Sequence, residues 1–282
     1  MNKRQIEVSV ISDLHLATHA CKPKPILEYL KSIQPLILVL NGDIIDSWRF
    51  TRNYFPKNHL KIIRQLIKMM EKGTLIYYVT GNHDEFLRKF SGTKIGRLEI
   101  VNQYIFHHNG LKTWIFHGDI FDDIIHNSKG LAKFGAALYG FLAILNNAVN
   151  AGLRLLGFKK IIIYKNLKKN LVKEKSTPSK FESQLGTSAV SQGYDEVICG
   201  HTHIPKEKMI QAGQKQIRYI NCGDWVEHFT AAEYYDNDWH FYTHLEDETE
   251  DTSEEPEIPA EHHIYQTLLK ELTFENVISV QT

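Results

Sequence analysis

Five times along the chain, a short and largely apolar run ends in a cluster of Asp, Asn or His. The runs at 8–11, 36–40, 75–79, 114–116 and 197–199 lead into Ser12-Asp13-Leu14-His15, Asn41-Gly42-Asp43-Ile44-Ile45-Asp46, Gly81-Asn82-His83-Asp84, His117-Gly118-Asp119 and Gly200-His201-Thr202-His203. Runs of this length fit strands buried on both faces. Between the early ones lie helical stretches at 25–33 and 57–72. In the second, Leu60, Ile63, Ile67 and Met70 recur at helical spacing and Gly73 marks the stop. The alternation predicts a layered α/β domain with parallel strands at its centre. In such sheets the chemistry gathers outside the carboxyl ends of the strands, where all five motifs fall.

Asp13, His15, Asp43, Asn82, His117, His201 and His203 offer carboxylates, an amide oxygen and imidazoles, with no cysteine among them. Hard oxygen donors mixed with imidazole suit Mn, Fe, Zn or Co. Seven ligands exceed what one tetrahedral ion takes, but suit two ions sharing a carboxylate. Two such ions, roughly 3.5–4 Å apart, clamp the oxygens of an in-line displacement at phosphorus and lower the pKa of bound water. A single histidine at a strand end is ordinarily a hydrogen-bonded structural residue. The weight lies in the joint recurrence.

Further strands are predicted at 103–107 and 112–117 around Asn109-Gly110, and at 196–199, 217–221, 230–235 and 239–244, with a helix at 182–192. Three cysteines without CxxC spacing imply a reducing compartment, and an N-terminus without an apolar signal core implies a cytoplasmic protein. The net charge of zero hides an asymmetry: residues 129–183 carry eleven basic and two acidic residues, and residues 246–261 carry nine acidic and none basic. Residues 130–158 are apolar at helical spacing, but Lys133, Asn146, Asn147, Asn150 and Arg154 interrupt them too often for a membrane span. An apolar, basic helical insertion fits an interfacial or lipid-binding cap. The same residues also fit two helices covering a sheet face beside solvated lysines. The expected organisation is a core of 1–128 and 184–245, a cap at 129–183, and an acidic linker and tail at 246–282.

In order, Asp13-x-His15, Gly42-Asp43-x-x-Asp46, Gly81-Asn82-His83-Asp84, His117-Gly118-Asp119 and Gly200-His201-x-His203 resemble the motifs of the calcineurin-like metallophosphoesterases. The resemblance implies an αββα fold, two mixed sheets packed as a sandwich and flanked by helices. It implies one divalent metal on Asp13, His15, Asp43 and His203 and another on Asp43, Asn82, His117 and His201, with Asp43 bridging. Mn2+ is expected first, ahead of Fe, Zn or Co. His83 would be the catalytic acid beside the phosphoryl group, and Asp84 would orient it. Arg49, Arg52, Arg88 and Asp224 are carried as substrate contacts.

Within the superfamily the chain is most similar to the bacterial UDP-2,3-diacylglucosamine hydrolases of lipid A biosynthesis. The likeness rests on 11–16, on Phe86-Leu87 after the central motif, and on the insertion before Gly200. Those enzymes release UMP and an acylated sugar phosphate. The branch implies an amphiphilic phosphate-containing substrate, a cap on the cytoplasmic face of the inner membrane, and no stable nucleic-acid partner. Where that branch has Gly-Asn-Arg-Asp, this chain has His83, the form general to phosphoesterases. The residues also fit a phosphodiesterase for another phospholipid, a nucleotide or nucleic acid, or a non-catalytic membrane-surface scaffold.

Overall fold

The computed structural model describes residues 3–47, 55–121 and 180–244. In order these form β1 (Arg4–Ile11), α1 (Pro23–Ser32), β2 (Ile33–Asn41), α2 (Lys57–Glu71), β3 (Leu75–Val79), β4 (Lys94–Ile95), β5 (Leu98–Val101), β6 (Tyr104–His108), β7 (Leu111–Ile115), α3 (Lys180–Ser191), β8 (Glu196–Cys199), β9 (Lys206–Ala212), β10 (Lys215–Asn221), β11 (Thr230–Tyr235) and β12 (Asp238–Thr243). One sheet has seven strands in the order β12-β11-β1-β2-β3-β5-β4, the other five in the order β6-β7-β8-β10-β9. Strands β1, β2, β3 and β5 pair in parallel, as do β7, β8 and β10, while antiparallel strands close the edges. The expected sandwich of two mixed sheets flanked by helices is the observed fold.

Residue size sorts the faces. Val8, Val10, Val39 and Val79 of the larger sheet meet Ile115, Ile198 and Ile220 of the smaller one in a dry inner layer. Alternate residues Leu38, Leu40, Ile76 and Tyr78 face outward, against Ile26, Tyr29 and Leu30 of α1 and Ile62 and Met69 of α2. On the far side Trp114, Val197 and Ile217 pack against Phe181, Leu185 and Ala189 of α3. Each fully buried aliphatic side chain contributes about 1.5–3 kcal/mol, so the layers fix the strand register that aims the loops.

The structure differs from expectation in several places. Strand β2 starts at Ile33, before the apolar run at 36–40, so Pro35 lies inside it. The missing N–H is tolerated because the ladder to β3 begins only at Ile37. The buried line of α2 is His59, Ile62, Gln65 and Met69, while Ile67 is 45% exposed. Two polar residues ride the buried face because each has a partner: His59 Nδ1 accepts the Ala17 N–H, and Gln65 Nε2 donates to the Leu30 carbonyl. Strands β4, β5 and β9 were not expected, and β9, at a sheet edge, opens with Lys206, Glu207 and Lys208 before its buried Ile210 and Ala212. Helix α3 begins at Lys180 and buries Phe181 in the core, so residues 180–183 join the core and not the insertion. The rest of the cap, the acidic linker and tail at 246–282, Arg49 and Arg52 lie outside the described residues. Among those described, no helix is long and apolar enough to cross a membrane.

Candidate active site

All the motif loops leave the carboxyl ends of parallel strands at one end of the sandwich: Asp13 and His15 after β1, Asp43 and Asp46 after β2, Asn82 and His83 after β3, His117 after β7, His201 and His203 after β8. The backbone there is unusual. Asp13, His15, Asp43, His201 and His203 have φ of 55°, 49°, 54°, 65° and 58°, a left-handed conformation that side chains rarely adopt. Hydrogen bonds from Asp13 N to Gly42 O and from His15 N to Asp43 O lock the first two loops together. The motif glycines provide room. A Cβ at Gly42 would fall on the His117 ring, and one at Gly81 on the Asp43 carboxylate.

Two sets of side chains converge. Asp13, His15 and His203 present donor atoms within 4.8 Å of one another, and so do Asp43, His117 and His201. His203 Nε2 lies 3.2 Å from Asp13 Oδ1, and His117 Nε2 lies 3.3 Å from Asp43 Oδ2. The outer ring nitrogens are tied back: His117 Nδ1 to the Asn41 carbonyl at 2.9 Å, His203 Nδ1 to Asp224 Oδ2 at 3.0 Å. An Nδ1 that donates to oxygen leaves Nε2 with its lone pair aimed inward, the tautomer a metal requires. Buried atoms without a hydrogen-bond partner include Asp13 Oδ1, Asn82 Oδ1 and His117 Nε2. Such atoms are costly unless something binds them, so the donor set fits divalent metal ions.

The electrostatics agree. Burial disfavours charge on His117, but the adjoining Asp43 carboxylate outweighs it and holds the imidazole pKa well above the ordinary value. Burial is likewise outweighed at Asp43, whose pKa is held well below the usual carboxylate range by His117, His83 and His15. At His203 burial is overcome by Asp13 and Asp224, which push the pKa up to about 9. The carboxylates at this end thus favour positive charge beside them.

His83 sits at the edge of both sets. Its N–H donates to Asp43 Oδ1 at 2.8 Å, its Nε2 is 3.9 Å from Asp43 Oδ2, and its Nδ1 is 3.0 Å from Asp46 Oδ2. Burial lowers its pKa, yet Asp46 and Asp43 bring it above the ordinary histidine value. The expectation that Asp84 orients His83 is corrected by this geometry. Asp84 accepts from Gly81 N at 2.5 Å, Ile44 N at 3.0 Å and the Tyr78 hydroxyl at 2.7 Å. It staples the β2 loop to the β3 loop, and Asp46 is the carboxylate at the ring. The sequence signal for Asp46 is its place as the second acid of Gly42-Asp43-x-x-Asp46.

Asp224 is also corrected. It is 1% exposed, so no substrate reaches it. Its Oδ1 accepts the N–H groups of Val226, Glu227 and His228, and its Oδ2 faces His203 at 3.0 Å and His228 at 3.3 Å. It positions His203. Asn221, which sequence reasoning missed, donates to the Gly200 carbonyl at 2.6 Å and to Thr202 Oγ1 at 3.0 Å, fixing the loop between the two histidines. Arg88 reaches the site's rim, where its guanidinium pairs with Asp119.

The sequence profile of the calcineurin-like phosphoesterase family matches residues 6–205. The chain belongs to this family. It is a metal-dependent phosphoester hydrolase. A UDP-2,3-diacylglucosamine hydrolase of Aliivibrio fischeri is 25% identical over 239 residues, covering 80% of this chain and 93% of its own. One from Hahella chejuensis is 24% identical over 223 residues, covering 77% and 88%. The solved structure of a Vps29 single mutant from Entamoeba histolytica aligns over 84% of this chain and 90% of its own, at 15% identity and a TM-score of 0.41.

Proposed function

We propose that this phosphoesterase hydrolyses the phosphoanhydride of a lipid-linked nucleotide sugar of the UDP-2,3-diacylglucosamine type, releasing UMP and an acylated sugar 1-phosphate. The observation that carries the reaction class is the pair of Asp/His sets with their unpartnered inward atoms. The substrate rests on the relatives, whose own length is nearly all matched. In this reading Asp13, His15, Asp43 and His203 hold one divalent ion, and Asp43, Asn82, His117 and His201 the other. When bound, two such ions, Mn2+ foremost, would supply charge neutralisation at phosphorus and a more acidic water. His83, kept protonated by Asp46, donates from Nε2 to the phosphoryl group and gives its proton to the leaving oxygen. The basic, apolar stretch at 129–179 would meet an amphiphilic substrate at the cytoplasmic face of the inner membrane.

A second reading is favoured by His83 itself, since the named branch has arginine there: a phosphodiester of another nucleotide or phospholipid. The test is turnover by the purified full chain with Mn2+ on UDP-2,3-diacylglucosamine beside bis(p-nitrophenyl) phosphate. UMP release from the lipid-linked substrate is the expected result. Cleavage of the aryl diester alone would overturn the substrate and leave the reaction class intact.

A further inference from the structure

Helix α2 carries a line of positive charge that no described residue neutralises. Its exposed residues include Lys57, Lys61, Arg64 and Lys68, with Lys72 at the C-cap. At about 100° per residue the first four fall within an arc of about 60°, and Lys72 continues the line. Spacings of three and four residues make each cation the neighbour of the next, an arrangement that costs a helix stability. The one acid in α2 is Glu71. Lys57 stands in the first turn, where no acid is present and a cation opposes the helix dipole. Among the described residues no carboxylate pairs with any of the five. The positive field extends past the helix end, where burial and then the charge of Lys72 lower the pKa of Lys3. On α1, by contrast, Glu28 separates Lys24 from Lys31 along the exposed face. A charge run is ordinarily a solvated face, but one set against its own helix points to an anionic partner.

The chain itself contains a matching anion. Residues 246–261 hold nine acidic residues and no Lys or Arg. They follow β12, and the place where the chain leaves that strand is fixed. His244 Nε2 lies 3.2 Å from Glu28 Oε2 of α1, and the ring neighbours Trp225. Ile26 and Leu30 of α1 share a buried cluster with Ile62 and Met69 of α2, and Gln65 of α2 donates to the Leu30 carbonyl. The chain therefore leaves the sheet one helix away from the stripe. Packed helices lie about 8–10 Å apart, and ten extended residues reach roughly 33 Å. The other basic stretch, 129–179, is flanked by Phe121 and Phe181, which pack on the outer face of the opposite sheet.

We propose that the acidic segment at 246–261 lies across the α2 stripe of its own chain. The contact is a set of exposed ion pairs, each weak alone. A tether of a few residues gives them the high effective concentration of a short linker, so that they reinforce one another. The segment then occupies this face against other polyanions. The contact weakens with salt, because the screening length falls from about 8 Å at physiological ionic strength to about 3 Å at 1 M.

The experiment is carbodiimide cross-linking of the dilute full chain, which joins carboxylates to amines in contact, with the linked peptides read by mass spectrometry. Links from 246–261 to Lys57, Lys68 and Lys72 within one chain are the expected result. Their yield should fall about tenfold in about 1 M NaCl, and about as much at physiological salt in the double variant Lys61→Glu/Arg64→Glu, which reverses the middle of the stripe. The salt arm needs no variant, and aryl phosphodiester turnover checks that the variant is folded. Yields at α2 that ignore both salt and charge reversal would overturn the proposal. So would links confined to lysines of 129–179, or links that join only different chains in a mixture of isotope-labelled and unlabelled protein. Absence of α2 links would overturn it as well, and sedimentation of the chain with phosphatidylglycerol vesicles would then assign the stripe to an anionic lipid surface.

Discussion

His59 gives the fold a pH dependence that can be worked out in advance. It is buried at the start of α2, and its Nδ1 accepts the N–H of Ala17 at 3.0 Å. Ala17 has φ of 70° and closes the loop that carries Asp13 and His15. The bond requires neutral imidazole. Burial, aided by the charge of His19, lowers the His59 pKa to about 4 from the model-compound value of 6.5. Since the folded-state pKa is the lower one, the unfolded chain takes up the proton first as the pH falls. The His59 contribution is complete above pH 6.5 and is lost as the pH drops through about 4. The gap corresponds to about 3 kcal/mol in full, of which between about 2 and 3 kcal/mol is lost by pH 4.5. Other groups titrate in this range, so the comparison is with His59→Gln, which keeps an acceptor for Ala17 and cannot be protonated. Urea unfolding in chelator at pH 7.5 and pH 4.5 gives both stabilities. Wild type should lose between about 2 and 3 kcal/mol more than the variant. Parallel losses would refute the claim that His59 is held neutral against Ala17.

Other consequences follow from the loops. Gly81→Ala puts a Cβ into the Asp43 carboxylate, and turnover and bound metal should fall together in purified protein whose circular dichroism is near normal. Asp224→Asn removes the carboxylate behind His203, and metal affinity measured by titration calorimetry should weaken about 10–100-fold. An unchanged affinity would make the Asp224 contact incidental. Asp46→Asn should lower kcat on an aryl phosphodiester by about 10–100-fold even when assayed at saturating metal, as expected when a positioned acid loses its partner. Because Asp46 Oδ2 also lies 3.9 Å from His15 Nδ1, metal affinity is measured alongside, and full recovery of kcat at saturating metal would count against the separate role of His83.

The site was more legible in the sequence than the packing around it. Each ligand-type residue ends a strand, and a parallel sheet collects strand ends, so recurrence alone brought Asp13, Asp43, Asn82, His117 and His203 to one end. What recurrence does not encode is which carboxylate faces which ring. Asp84 adjoins His83 in sequence, but its oxygens are taken by Gly81, Ile44 and Tyr78, and the ring meets Asp46 from another loop. Asp224 was read as a substrate contact for the same reason: partners distant in sequence, such as His203, are invisible without the fold. Along α2, hydrophobic periodicity chose Ile67 where the structure buries Gln65, because a buried amide with a carbonyl partner carries no apolar signal. The edge strand β9, half charged, was missed because one of its faces is solvent.

The central claim is that Asp43 joins two metal sites into one catalytic centre. The most direct test is the metal stoichiometry of apoprotein titrated with Mn2+, read by calorimetry and elemental analysis, with aryl phosphodiester turnover followed in the same samples. The account predicts about two ions per chain, turnover that rises with their binding, and loss of both in Asp43→Asn. Full turnover in protein stripped of metal, or two ions bound undiminished in Asp43→Asn, would contradict it.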